Sequence, residues 1–161
     1  MGRNNSARLL KIILWGIFVI YCAFMLWQLL FAYRRMSGTI YKYNLIPFKT
    51  ILYFLLNTHG KYKIWSIVRN LPGNIVMFIP LGFFLSIFSK QGKGLFWRVV
   101  IKTAVIMSII EIIQGITHLG MLDIDDVILN TVGGMLGYLL FKILVQFRTL
   151  ANTNSANISY K

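Results

Sequence analysis

The chain has 161 residues, of which 57% are hydrophobic, with a mean hydropathy of +0.68 and a formal net charge of +13. A soluble domain of this length cannot bury so much apolar surface, because small proteins leave much of their surface exposed. The composition therefore excludes an ordinary soluble domain and indicates a membrane protein. The basic residues are spread over several loops without a groove pattern, so they favour anionic headgroups and topology over nucleic acid as their role.

Four apolar stretches are long enough to cross a bilayer, for which a helix needs roughly 20 mainly apolar residues. In chain order they are 12–33, 71–88, 95–117 and 127–147. A further stretch, 50–57, is too short to span and is typical of an interfacial or re-entrant segment. We predict an all-α integral membrane protein, a bundle of four transmembrane helices with five as the alternative.

The chain is expected to form one membrane domain with a tail at each end. Residues 1–11 form a basic N-terminal tail, 12–147 the transmembrane domain, and 148–161 a polar tail whose Asn and Ser content predicts disorder. The first apolar stretch is longer than the roughly 7–15 residues of a signal-peptide core, so it is predicted to remain as an anchor. With four spans, both termini lie on one side, together with ten of the seventeen Lys and Arg residues. Because positive charge favours the cytoplasm, we expect both termini there and the connection between the third and fourth spans outside.

The prolines of the second span predict an irregular helix. Pro72 is expected near the helix start, where a missing N–H costs little. Pro80 lies mid-span, where it should kink the helix and free a carbonyl. Asn74 lies between them, at the membrane level expected for the start of the fourth span.

All four acidic residues lie between Glu111 and Asp126. A carboxylate inside a bilayer is costly, so Glu111 within the third span is a candidate functional residue. Gln114 is three residues further on and shares its helix face, which should point into the bundle. The alternative for Gln114 is a hydrogen bond between helices without any further role.

The fourth span carries a second polar row. From Asp123, positions +3, +7, +10 and +14 are Asp126, Asn130, Gly133 and Gly137, which predicts one seam with a glycine pair for close helix packing. Aspartates at a helix start also serve as caps, which explains one or two of the three. Asp125 lies about 100° round the helix from Asp126 and fits the seam least well.

The acidic residues are also candidate metal ligands. Several oxygen ligands at one end of a bundle could hold Mg²⁺ or Ca²⁺, with Glu111, Asp123 and Asp126 as the candidates. The spacing is not that of an EF-hand loop, since the required Gly and final Glu are missing. No other cofactor is predicted.

Taken in order, these motifs resemble the VanZ-like family over residues 44–140. The matching segments are Asn44-Leu-Ile-Pro-Phe48, Asn74-x3-Phe78-x-Pro80-x-Gly82, Glu111-x2-Gln114 and Asp123-x2-Asp126-x3-Asn130-x2-Gly133-x3-Gly137. The resemblance implies a small membrane protein related to one that confers resistance to teicoplanin, a glycopeptide antibiotic with a lipid tail. It also implies the functional positions Asn74, Glu111, Gln114, Asp123, Asp126 and Asn130, and the packing positions Pro80, Gly82, Gly133 and Gly137.

One departure from the family pattern concerns the cation. Many members carry an Arg just before the aspartates, where this chain has Gly120-Met-Leu. Its carboxylates would then need another cation, for which Arg69 or a metal ion are the candidates.

Three functions remain open from the sequence. The first is non-enzymatic protection of the cell envelope, in which the protein alters how teicoplanin or its lipid-linked wall-precursor target meets the outer leaflet. The second is a metal-assisted enzyme acting on a lipid or lipid-linked headgroup through the carboxylates. The third is a structural scaffold in the membrane.

Overall fold

The computed structural model describes the backbone of residues 2–32, 43–57 and 61–159, and side chains within 5–6, 8–30, 43–53, 55–56 and 72–151. Five α-helices form the structure: α1 Gly2–Trp27, α2 Lys49–Asn57, α3 Lys61–Phe88, α4 Leu95–Thr117 and α5 Ile124–Ser159. A π-helical turn, Gln28–Ala32, extends α1. Two short strands, β1 Tyr43–Asn44 and β2 Leu122–Asp123, pair in parallel. The predicted all-α fold class is confirmed.

The buried apolar core is formed by Phe78 and Leu81 of α3, Met107 and Ile110 of α4, and Met25 of α1. Helix α5 packs closely against α3 and α4. Helices α3 and α5 approach closely because glycines line their contact. A methyl group on Gly137 would lie 2.1 Å from the Ile79 carbonyl oxygen, and one on Gly82 would lie 2.0 Å from the Gly134 carbonyl oxygen. Backbone contact at this distance leaves no space for a side chain.

Helix α1 packs against α3 mainly through aromatic side chains. Trp15 stacks on Phe88 with ring centroids 4.1 Å apart, and the Tyr21 hydroxyl donates to the Met77 carbonyl oxygen at 2.7 Å. The other faces of α1 are apolar and exposed, with Ile20 at 71% exposure. In a bilayer such a surface meets lipid at no hydrophobic cost.

Among the described residues, three helical segments are long and apolar enough to cross a membrane: Arg8–Leu30, Leu95–Thr117 and Ile124–Ala151. Pro72–Phe88 is a shorter apolar segment within α3 and the candidate for the fourth predicted span. The segment predicted to be interfacial or re-entrant is α2, which at nine residues is too short to span.

Two local features differ from the sequence predictions. Pro72 lies inside α3, which begins at Lys61, and not at a helix start, so both prolines remove an N–H donor within the helix. The backbone of residues 148–159 continues α5, where composition predicted a disordered tail. The polar composition shows that this segment has few apolar side chains to bury. An existing helix can nevertheless extend through it, because each added residue needs only one further backbone hydrogen bond. The proposed domain bounds remain a prediction.

Candidate functional site

The four acidic residues meet where α4 ends and α5 begins. The chain reverses direction after Thr117, helped by the left-handed conformation of His118 (φ 55°), and returns through β2. This reversal brings Glu111, near the end of α4, against β2. Its Oε2 atom accepts a hydrogen bond from the Asp123 backbone N–H at 2.9 Å, and the side chain is only 3% exposed.

Asp123 is the N-cap of α5 and ties β1 and α2 to it. Its Oδ1 atom accepts from the Asp125 backbone N–H at 2.9 Å and from Asn44 Nδ2 at 3.0 Å. Its Oδ2 atom accepts from the Thr50 hydroxyl at 2.6 Å. Both oxygens therefore have donors, and the residue joins segments more than seventy positions apart in sequence.

Asp125 caps the N-terminus of α2. Its carboxylate accepts hydrogen bonds from the backbone N–H groups of Phe48, Thr50 and Ile51, the latter two at 2.8 and 3.2 Å. A helix N-terminus has unpaired N–H groups and a positive dipole end, so a buried carboxylate is stabilised there. Asp125 fits the seam least well, as its spacing predicted: it is fully buried and bonds α2, a role that the spacing did not indicate.

Asn44 and Thr50 also belong to the site, although no functional role was predicted for either. Asn44 is 6% exposed, and its Oδ1 atom accepts from the Ile46 backbone N–H at 3.2 Å, which folds the chain into an Asx turn. The turn leads to Phe48, which has a positive φ of 66°. A bulky residue rarely adopts this conformation, so the contacts with Asp125 must hold it in place. The Asn44-to-Phe48 motif was the available signal, but it did not show which residue the segment contacts.

Asp126 faces α3 from the first turn of α5. Its Oδ1 atom accepts a hydrogen bond from Asn74 Nδ2 at 2.6 Å. Unlike Asp123 and Asp125, Asp126 is only partly buried. The pair forms the open edge of the acidic site.

Asn130 lies one helical turn further along α5. It is 1% exposed, and its Nδ2 atom is 3.6 Å from Met107 Sδ. Its Oδ1 atom is buried and has no hydrogen-bond partner among the residues that the structure describes. A buried carbonyl oxygen without a donor is costly and therefore uncommon.

Gln114 does not contact the cluster of acidic side chains. Its Nε2 atom donates to the Leu29 carbonyl oxygen in the π-helical turn at 2.7 Å. A methyl group on Gly120 would lie 3.1 Å from the Gln114 amide, so this glycine leaves space for it. Gln114 thus makes an interhelical hydrogen bond, which was the alternative role predicted for it from the sequence.

The predicted packing residues lie along α3 and α5. Gly82 and Gly137 make the backbone contacts described above, and a methyl group on Gly133 would lie 2.3 Å from the Ile75 carbonyl oxygen. Pro80 lies within α3 between these contacts.

The carboxylates have no ion-pair partner within the described part of the chain. The side chain of Arg69, a candidate cation, lies outside the described side chains. Across the same residues, no three His, Cys, Asp or Glu side chains are grouped so as to hold a metal ion. Hydrogen bonds from amides, hydroxyls and backbone N–H groups surround the acidic residues instead.

Comparison with known proteins identifies relatives of the chain. The chain is 31% identical to Protein VanZ of Enterococcus faecium over 140 residues. This match covers 81% of the chain and 74% of that protein. No solved structure matches. The VanZ/LLP1 family profile matches residues 18–145, which contain all six polar residues singled out from the sequence. The chain therefore belongs to the VanZ/LLP1 family, as its motifs predicted.

Proposed function

We propose that this protein lowers the susceptibility of a bacterial cell to teicoplanin by a non-enzymatic action of its acidic site at the outer membrane face. Membership of the VanZ/LLP1 family and the similarity to Protein VanZ support this role. The observation that assigns this role to the acidic site is the exposure and hydrogen bonding of Asp126. This carboxylate is partly exposed and bonded only to Asn74 among the described residues, so it is available to an incoming ligand.

The site would act on molecules that reach the outer leaflet of the cell membrane. These are teicoplanin, whose lipid tail would place it there, and the lipid-linked cell-wall precursor. Membrane lipids surround the site in either case. The distribution of basic residues supports this orientation, with both termini cytoplasmic.

The enzymatic alternative is acid–base or metal-assisted chemistry on a lipid headgroup, with Glu111 and Asp126 as the reacting groups. Its support is that each of these two carboxylates retains an oxygen without a donor in the described structure. The scaffold alternative is supported by Asp123 and Asp125, whose oxygens all hold other parts of the chain.

The test is to express Asp126→Asn and Glu111→Gln in a teicoplanin-sensitive host and to measure susceptibility and protein abundance together. We expect both variants to lose most of the protection at normal abundance, because the amides keep the shape and remove the charge. Lys142→Gln is the matched control, since it removes one charge from an exposed position of the same helix.

Protection that persists in both acid variants would contradict the proposed function and favour the scaffold. Metal-dependent turnover of a lipid substrate by the purified protein would replace the non-enzymatic mechanism with the enzymatic one.

A further inference from the structure

The acidic site contains two kinds of carboxylate. Every oxygen of Asp123 and Asp125 already accepts at least one hydrogen bond from the chain. These two residues therefore have structural roles and little capacity left for a ligand. Glu111 and Asp126 differ, because each uses one oxygen to accept a single bond.

Within Glu111, Asp126 and Asn130, three side-chain oxygens have no donor among the described residues: Glu111 Oε1, Asp126 Oδ2 and Asn130 Oδ1. The first two belong to acidic groups, and the third is a fully buried amide oxygen. Asn130 is an observation independent of the acidic cluster, since nothing about capping or helix packing requires an unpaired carbonyl there. An unmet acceptor at this depth indicates that a donor is missing.

Helix geometry places the three oxygens around one region. Asn130 is level with Met107, which its Nδ2 atom contacts. Glu111 follows Met107 by one turn on α4, and Asp126 precedes Asn130 by one turn on the antiparallel α5, so these two carboxylates are level with each other. Side chains on a helix lean toward its N-terminus, which directs Asn130 toward Asp126.

Charge and donor number then define the missing partner. A carboxylate in a low-dielectric environment is costly unless a cation or strong donors accompany it. No Lys or Arg within the described residues supplies that charge. Mg²⁺ and Ca²⁺ prefer six or more oxygen ligands, whereas a primary ammonium has three N–H donors and one charge. Three open acceptors, two of them acidic, match an ammonium.

We propose that this site binds a primary ammonium group, held by Glu111, Asp126 and Asn130 and admitted past the partly exposed Asp126–Asn74 pair. The ammonium can belong to an aminolipid headgroup or to an amine arriving from water. The ammonium site itself does not depend on the proposed function. Only the consequence of binding, the capture of an amine-bearing molecule at the membrane surface, rests on that function.

The experiment measures the thermal midpoint of unfolding of the full chain in phosphatidylcholine nanodiscs. Ethylammonium chloride, tetramethylammonium chloride and magnesium chloride are compared at equal ionic strength. Ethylammonium has three N–H donors, while tetramethylammonium carries the same charge and none. We expect ethylammonium alone to raise the midpoint in a saturable way. Nanodiscs containing phosphatidylethanolamine, without added amine, test the lipid as source: a raised midpoint identifies the aminolipid, and an unchanged one identifies the aqueous amine.

Variants assign the effect to the site. Glu111→Gln and Asp126→Asn are expected to weaken the apparent affinity for ethylammonium by about ten-fold or more, the size expected for one lost charged hydrogen bond. Asn130→Asp should strengthen it. Lys102→Gln is the charge control, because Lys102 lies near the start of α4, about nine residues before Glu111, and bonds to Ser89. Circular dichroism and the midpoint without amine show whether each variant folds.

Equal stabilisation by tetramethylammonium, stabilisation by Mg²⁺ alone, or an unchanged affinity in the folded Glu111→Gln variant would each overturn the ammonium site. If ethylammonium does not bind but the acid variants still lose teicoplanin protection, the ligand class is wrong and the proposed function stands. If ethylammonium binds but the variants keep full protection, the site stands and the proposed function falls.

Discussion

Asp125 and Asp126 are adjacent in sequence and have different roles. Successive helical residues point about 100° apart, so one side chain faces α2 and the other faces α3. Asp125 is fully buried and bonds three backbone N–H groups, while Asp126 is partly open and bonds Asn74. The sequence indicated Asp126 through its spacing with Asn130. It could not show what Asn44 and Thr50 contact, because their partners are 73 to 79 positions away.

The two aspartates form a matched pair for a stability test. Asp125→Asn replaces one acceptor oxygen with an NH₂ group that faces the N–H donors of α2, so we expect a loss of about 2 kcal/mol in the free energy of unfolding. The amides of Thr50 and Ile51 should exchange with deuterium much faster in this variant. Asp126→Asn removes the same charge one position away and should leave their exchange unchanged. Equal exchange rates in the two variants would show that Asp125 is not the cap of α2.

Helices α3 and α5 depend on glycine for their contact. The sequence predicted Gly133 and Gly137 as packing positions from their spacing, and Gly82 from the family resemblance. It did not indicate Gly134, where a methyl group would lie 2.6 Å from Thr103 Oγ1 on α4. A spacing rule describes one helix face, whereas α5 packs against two neighbours and uses two adjacent faces.

Gly137→Ala tests this packing against Gly16→Ala. The added methyl group at position 137 meets backbone, which cannot move aside alone, so unfolding should become easier by about 1–3 kcal/mol. At Gly16, no described atom beyond the two neighbouring residues and the backbone of its own helix lies within 4 Å of an added methyl group. Alanine is also the better helix former there. Thermal unfolding in detergent would measure both. A neutral Gly137→Ala variant would show that α3 and α5 are further apart than described.

At the scale of the whole molecule, all four acidic residues lie at one end of the bundle, and the opposite, basic end has none. The connection from α3 to α4 carries Lys90 and Lys93, and Arg98 Nη2 donates to the Lys90 carbonyl oxygen at 2.7 Å. The acidic site lies at the opposite end of α4, about 20 residues or 30 Å along a helix from this connection. If the connection from α3 to α4 faces the cytoplasm, as its positive charge favours, the acidic site faces outside.

Cysteine labelling tests the orientation. In a Cys22→Ser background, Leu45→Cys would place a thiol beside the acidic site, and Lys93→Cys would place one at the basic end; both positions are exposed. We expect a membrane-impermeant thiol reagent to label Leu45→Cys in intact cells, and to label Lys93→Cys only after the membrane is permeabilised. The reverse pattern would place the acidic site in the cytoplasm and contradict action at the outer face.

The helical membrane class, three of the long apolar segments, the family, and the grouping of all acidic residues where the third span ends and the fourth begins were predicted from the amino-acid sequence. These features depend on local composition and helical spacing, which can be read without knowing the fold. Only the tertiary structure divided the carboxylates between roles. Asp123 and Asp125 hold β1 and α2, while Glu111 and Asp126 each keep one oxygen without a donor among the described residues. This division depends on contacts between segments distant in sequence, which local spacing does not show.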